Sequence, residues 1–425
     1  MAHNRTWRRL DNAGLIFPAS RRKGWYNKYR ISADLKDPID PEILQSAFNA
    51  TAPRFPLMVA SLKRGFFWYY LEQVKKVPQV MQDGAYPLIY HPFDDVSRCT
   101  IRVLYYRKRI AVEFFHAATD GGGAIFFVKS LVAEYIEQRY GIKIPFENGV
   151  LDRREEPKES ELEDSFSRYR GQVAFDRHEG KAYRINPEKE PDGFLHLTCG
   201  TMSAAQVLSK AREYHTSVTV YVSAILTEAI LEYQKRHVPK GKKKLPVRIQ
   251  IPVNLRKLFP SETHRNFVMT FNIGVDPMMG EYTFDEIVFI LSHQLALYNT
   301  PKNMQAVFTT NVNSSRVPFL KIVPRFIKTI VMRKVFDSIG ENQATICLSN
   351  LGPIKIPEEM QPYVDHFDFI IGPQAQSPYN CSLCSYGDIM RFNFIRGAID
   401  PELERLIFTS FVKKGIHVTV SSNRR

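Results

Sequence analysis

Residues 114–135 read FFHAATDGGGAIFFVKSLVAEY: an apolar run ends at His116, Asp120 follows four residues on, and Gly121, Gly122 and Gly123 lead into a long apolar stretch. Immediately upstream, TIRVLYY and IAVEFF are separated by Arg107, Lys108 and Arg109. Their β-branched and aromatic content predicts a hairpin whose second strand runs directly into His116. A strand end holds an imidazole on rigid backbone, and the glycines let the chain turn sharply and admit another group closely. Histidine is the side chain best suited to taking a proton near neutral pH, and a positioned general base contributes about 10²–10⁴ in rate. The competing reading is a core histidine satisfied by backbone, with Asp120 merely capping the next helix. Five residues of H-x-x-x-D do not decide between these. The strand before the motif, the Asp-Gly after it and the helix that follows favour the catalytic reading.

Outward from this stretch the chain alternates strand and helix. Tyr26 to about Leu35 predicts a strand, and Asp40-Pro41 opens a helix over PEILQSAFNATAPRFP with proline in its first turn. MVASLKRGFFWYYLE predicts one or two paired strands. From Gly141 to about Phe194 the periodicity gives way to charged stretches, RREEPKESELEDSFSRYRG and NPEKEPDG, which mark the connection between two lobes. The alternation then restarts. FLHLTCG is a strand, Ser203 to Gln206 a capping box opening a helix to about Tyr214, and a long helix covers Val218 to Lys235. PVRIQIPVN and VMTFNIGV are strands, and Thr283 to Glu286 is a second capping box before IVFILSHQLALY. QATICLSN, FDFIIG, YNCSLCSYG and MRFNFIRG follow as strands, then a helix from Pro401 to about Lys413 and a last strand, IHVTVSS. The expected division is an N-terminal lobe over 1–175 carrying the motif, a connection over 176–193, and a C-terminal lobe over 194–425.

With 425 residues, 44% apolar and 24% charged, the chain has the composition of a globular protein able to bury a large core. MAHNRTWRRL has no apolar segment behind its basic residues, and no run approaches the eighteen apolar residues that a spanning helix needs. Five scattered cysteines fit free thiols in a reducing compartment, so the expected location is cytoplasmic. A net charge of +14 attracts anions, whether nucleic acid, phospholipid headgroups or a phosphorylated co-substrate. No basic stripe interleaved with stacking aromatics is present, which argues against nucleic acid.

The signature His116, Asp120, Gly121 resembles that of the chloramphenicol-acetyltransferase-like acyltransferases, a family that includes condensation domains, plant alcohol acyltransferases and wax-ester synthases. LDNAGLIFPAS near the N-terminus, PVNLRKLFP and SNLGPI look most like bacterial alcohol acetyltransferases, so the resemblance runs nearly end to end. It implies an α/β fold of two lobes, each a mixed sheet with helices, and an active-site tunnel between them. His116 would be the general base that takes the proton of an acceptor hydroxyl or amine as that atom attacks a thioester carbonyl. Asp120 would face away from substrate and pair with an arginine, for which Arg256 in PVNLR is the candidate; a buried carboxylate without such a pair costs several kcal/mol. An exposed loop cation is the other reading of Arg256. Ser349 and Asn350 resemble the SN-containing segment of wax-ester synthases and are candidates for lining the tunnel or serving the oxyanion, although a strand ending in a turn explains them as well.

The resemblance implies acyl-CoA, acetyl-CoA first, as co-substrate, an alcohol or amine as acceptor, and no permanently bound cofactor. An acyl or peptidyl carrier protein docking on the basic surface is the alternative donor, and a ligand-binding protein on a catalytically silent copy of the fold is the alternative from another class. The densest basic run, Lys235, Arg236, Lys240, Lys242, Lys243 and Lys244, has two readings: cations complementing a helix C-terminus, or Lys242–Lys244 gripping the phosphates of coenzyme A. No phosphate-binding glycine loop is present. Cys381 and Cys384 form a lone C-x-x-C in an apparent strand and are read as structural, so no metal site is expected. His264 and His366 are read as surface or satisfied core histidines. VPFLKIVPRFIKTIVMRKVF, from Val317, is apolar and basic at once; of a peripheral membrane contact and a packing helix broken at Pro324, the packing helix is the preferred reading.

Overall fold

A computed structural model describes the chain except for residues 1–6, 22–26, 85, 90–92, 176–178, 192–193, 240, 318–321, 336–341, 375–376 and 424–425. Tyr26, Lys240 and parts of the 176–193 connection and of the 317–336 segment therefore lie outside the described residues.

The first part of the chain runs β1 (Trp7–Arg9), α1 (Ile16–Ser20), β2 (Lys28–Leu35), α2 (Pro41–Thr51), β3 (Ala60–Arg64), β4 (Tyr69–Gln73), β5 (Met81–Gln82), α3 (Phe93–Arg98), β6 (Ile101–Tyr106), β7 (Arg109–Phe115) and α4 (Gly121–Tyr140). Short helices α5 (Glu159–Leu162) and α6 (Ser165–Arg168) follow. The rest comprises β8 (His196–Ser203), α7 (Ala204–Glu213), α8 (Val218–His237), β9 (Val247–Asn254), β10 (Val268–Val275), α9 (Phe284–Tyr298), α10 (Pro301–Ser315), α11 (Arg325–Val335), β11 (Ile346–Pro353), β12 (Val364–Ile371), β13 (Tyr379–Tyr386), β14 (Ile389–Arg396), α12 (Glu402–Lys413) and β15 (Thr419–Ser422).

Two mixed sheets carry the fold. One is ordered β12-β2-β7-β6-β5 and the other β10-β9-β11-β13-β14-β8-β15, with a separate antiparallel trio β1-β4-β3. The hairpin β6–β7 pairs Val103 with Val112 and Ile101 with Phe114, and Ile110, Val112 and Phe114 point into a core shared with α2 and α4. The second core lies between the seven-stranded sheet and α8, α9 and α12. Cys381 and Cys384, three positions apart on β13, face opposite sides of the sheet, so the first joins the second core and the other joins the first core. All five cysteines are buried free thiols.

β12 ties the two sheets together. It follows β11 in the chain, yet pairs antiparallel with β2 at the edge of the five-stranded sheet. Its Asp368 crosses to the other sheet, accepting from Arg391 Nε at 2.9 Å and Nη2 at 3.0 Å and from Asn393 Nδ2 at 3.0 Å. Around the same carboxylate, His366 Nε2 stands 3.6 Å from Asp34 and 3.7 Å from Asp368, and Arg109 Nε is 3.0 Å from Asp34. Asp34, His366 and Asp368 are the one trio with metal-ligand geometry among the described residues, but both carboxylates are engaged by arginines and the group is an ion-pair network joining the sheets.

Two local signals resolve differently from one another. Thr283 and Glu286 form a reciprocal capping box at α9. At α7 Ser203 accepts from Gln206 N as expected, but the Gln206 side chain donates to the Gly415 carbonyl instead of returning to the cap. The charged 141–194 stretch holds α5 and α6. Glu161 there is buried in a two-point ion pair with Arg54, at 2.6 and 2.7 Å.

Candidate active site

β7 delivers His116 and α4 starts five residues later. The strand is anchored three residues earlier by Glu113, which is buried between Arg30 and Arg102. His116 N–H donates to the Asn27 carbonyl at 2.8 Å. Its ring is held between aromatic faces: Phe17 of α1 stacks at 4.3 Å between centroids, and Tyr29 of β2 meets it edge-on at 5.1 Å. Burial holds the imidazole below its usual value of 6.5. A neutral ring at physiological pH is the form that accepts a proton.

The tautomer is set by a relay that crosses the molecule. His116 Nδ1 lies 3.0 Å from Asn266 Oδ1, and Asn266 Nδ2 donates to Asp11 Oδ2 at 3.1 Å. A carboxylate only accepts, so the amide nitrogen must face Asp11 and the amide oxygen must face His116. Nδ1 then carries the hydrogen and Nε2 is left with the free lone pair. Asp11 is itself fixed by Gly14 N–H at 2.6 Å and by Arg265 at 3.6 Å. Burial, opposed by Arg265, pushes its carboxyl up to about 6.

The Asp120 carboxylate is engaged away from the His116 ring. One carboxylate oxygen caps α4 by accepting from Gly123 N–H at 2.8 Å. The other accepts from Phe267 N–H at 2.6 Å and from Arg256 Nη1 at 3.0 Å. Arg256 is no loop cation exposed to water: its Nε donates to the Thr263 carbonyl at 2.8 Å, Nη1 donates to Asn254 Oδ1 at 3.1 Å, and Nη2 donates to the Arg265 carbonyl. Arg256 thus clamps the 263–267 segment, which carries Asn266, against the start of α4.

The glycines serve that approach. None of Gly121, Gly122 and Gly123 has a left-handed φ, so close packing and not an unusual turn demands them. A Cβ on Gly123 would sit 2.1 Å from the His264 carbonyl oxygen, and one on Gly122 would sit 2.9 Å from Asn254 Nδ2. Thr119 Oγ1 donates to the same His264 carbonyl at 2.6 Å. His264 itself is buried against Phe55 and Phe126, and burial pushes its imidazole down to about 4.

Ser349 and Asn350 lie on β11, whose Leu351 faces Gly121, 3.3 Å from where a Cβ would stand. The Asn350 amide is engaged at both ends, donating to Thr219 Oγ1 at 3.0 Å and accepting from Gly352 N–H at 2.8 Å. Lys242 and Lys243 are exposed and Lys244 half-buried in the loop after α8. Lys243 lines a hollow of about 370 Å³ with Lys181, Tyr183 and Arg184, whose lining shares no residue with the His116 surroundings. The sequence offered no motif for Asp11, Phe17 or Asn266, although LDNAGLIFPAS contains the first two.

No family model matches the chain, and no curated protein does. Solved structures match over nearly its whole length. The trichothecene 15-O-acetyltransferase of Fusarium sporotrichioides superposes with a TM-score of 0.60 at 11% identity, covering 97% of this chain and 95% of that one. The first condensation domain of the calcium-dependent antibiotic synthetase gives 0.60 at 12% identity over 96% of each chain. The wax ester synthase/diacylglycerol acyltransferase of Marinobacter aquaeolei VT8 gives 0.55 at 12% identity, over 96% of this chain and all of that one, 100%. The chain therefore has the two-lobed chloramphenicol-acetyltransferase-like fold that these acyltransferases and condensation domains share.

Proposed function

We propose that the protein is an acyltransferase that moves an acyl group, acetyl first, from the thioester of coenzyme A to an alcohol hydroxyl, with His116 as general base. The observation that carries this reading is the Asp11–Asn266–His116 relay, which leaves a neutral imidazole with its free lone pair on Nε2. In the reaction, Nε2 takes the hydroxyl proton as the acceptor oxygen bonds to the thioester carbonyl carbon. The tetrahedral intermediate collapses by breaking the carbon–sulfur bond, and the imidazolium returns its proton to the departing thiolate. No acyl-enzyme is required. Asp120 and Arg256 hold the loop that carries Asn266, and so act on position and not on the reacting atoms.

The +14 charge suits a phosphorylated donor, and Lys242, Lys243 and Lys244 are the residues proposed to meet its phosphates. The same charge suits an acidic carrier protein bearing the acyl group on a pantetheine arm, so the donor is the point to test. Thiol release is measured with acetyl-, butyryl- and longer acyl-CoA, and with an acyl carrier protein, against a panel of alcohols and amines. Acceptor-dependent release from a CoA thioester is expected. Release from the carrier thioester alone would replace the CoA reading, and release from neither would remove the acyltransfer reading.

A further inference from the structure

Helix α11 is built inside out. A helix on the surface of a globular protein turns its apolar stripe inward and its charges to water. Here Arg325, Lys328 and Arg333 face the protein. Arg325 Nε donates to the Gly65 carbonyl at 3.0 Å and Nη1 to Tyr69 Oη at 3.0 Å. Lys328, 5% exposed, donates to the Phe67 carbonyl at 3.1 Å and stands 3.4 Å above the Trp68 ring. One turn on, Arg333 reaches the carbonyls of Ala19 and Arg21 at the end of α1.

The face left to solvent is apolar. Phe326, Ile327, Ile330 and Val331 are 63%, 41%, 57% and 53% exposed, and their spacing puts them on one side of the helix. The turn between β3 and β4, against which α11 packs, adds Phe66 at 73% and Phe67 at 41%. A contiguous apolar surface of this kind marks an interaction site.

Charge says what covers it. Over α11 the sequence contains no acidic residue and four Lys or Arg; Arg325, Lys328 and Arg333 bond neutral oxygens, and Lys334 is exposed. A second copy seated across this face would oppose two helices of the same sign, which like-charge repulsion disfavours. An anionic bilayer presents negative headgroups at the rim and hydrocarbon beneath, which matches both features. No helix among the described residues is long and apolar enough to cross a membrane, so the contact is peripheral.

We infer that α11 and the Gly65–Trp68 turn form a docking surface for the face of an anionic lipid bilayer. The packing helix expected from the sequence is present, but it packs through its polar side. α11 leans on α1, whose Phe17 stacks on His116, so one short helix stands between the docking helix and the candidate active site. The inference does not depend on the reaction assigned there.

The test is co-sedimentation of the full chain with vesicles of phosphatidylcholine, with and without phosphatidylglycerol. Binding at least about tenfold tighter to the anionic vesicles is expected, lowered about tenfold or more in a Phe326→Ser, Ile330→Ser double variant and weakened in Lys334→Glu. These side chains are exposed, so circular dichroism and melting of the variants should match wild type. Brominated acyl chains should quench Trp68 emission in the bound state, and Trp68→Phe should remove that quenching. Failure to bind anionic vesicles, or binding retained by the folded double variant, overturns the inference. So does a lipid-independent dimer, seen by sedimentation velocity, that the double variant disperses.

Discussion

Asn266 Oδ1 lies 3.0 Å from His116 Nδ1, and the amide that bears it is oriented by Asp11. Asn266→Leu removes the acceptor that selects the tautomer while keeping the side-chain volume. The expected outcome is a kcat lower by about 10²-fold with KM little changed, since positioning of a base accounts for about 10²–10⁴ in rate. A proportional rise in KM with kcat retained would assign Asn266 to binding instead.

The pH dependence follows from the burial of His116. Its imidazole is held below 6.5, so the ring remains an unprotonated base through neutral pH. The acid limb of kcat/KM is therefore expected below pH 6.5. A limb centred above that value would show that the base is stabilised in its charged form, contrary to its surroundings.

The three glycines should not respond alike. Gly121→Ala meets the flexible end of Leu351 at 3.3 Å, whereas Gly123→Ala meets the His264 carbonyl oxygen at 2.1 Å. The first substitution should leave activity within a few-fold of wild type. The second should displace the 263–267 segment and Asn266 with it, with a loss of activity, of folded protein, or of both. Soluble yield, melting temperature and thiol-release rate of the two variants check this ranking.

The ion network between the sheets predicts a particular stability profile. Against the opposing effect of burial, His366 is pushed above 6.5 by the carboxylates around it, so its contribution is fully present below pH 6.5 and is lost as pH rises through its raised folded value. Asp368, held well below the usual carboxylate range despite burial, by His366 and Arg391, contributes above pH 3.8 and loses that contribution only on strong acidification. Denaturant unfolding of wild type and His366→Gln should therefore differ more at pH 6 than at pH 9. A difference that grows with pH would contradict the assignment.

What the sequence showed and withheld follows from sequence distance. The β6–β7 hairpin, His116 at its end, the Asp120 cap and α4 were legible because each depends on neighbours within a few residues. α10 was not expected: its Asn, Thr and Ser residues are poor helix formers, and it is held by burying Met304, Val307, Phe308 and Val312, although Thr300-Pro301 did carry a start signal. FDFIIG was legible as a strand, but its place beside β2 was not, because the period of a strand says nothing about its partner. Asp11 and Asn266 are 255 positions apart, and the LDNAGLIFPAS segment that contains Asp11 gave it no role, so only the folded chain brings them to His116.

The most direct test of the central claim is the rate of acceptor-dependent thiol release by His116→Ala, compared with wild type at saturating donor and acceptor. With the fold intact by circular dichroism, the account predicts a loss of about 10²–10⁴-fold. A variant that keeps the wild-type rate would show that the proton is taken elsewhere and would contradict the assignment of His116 as the base.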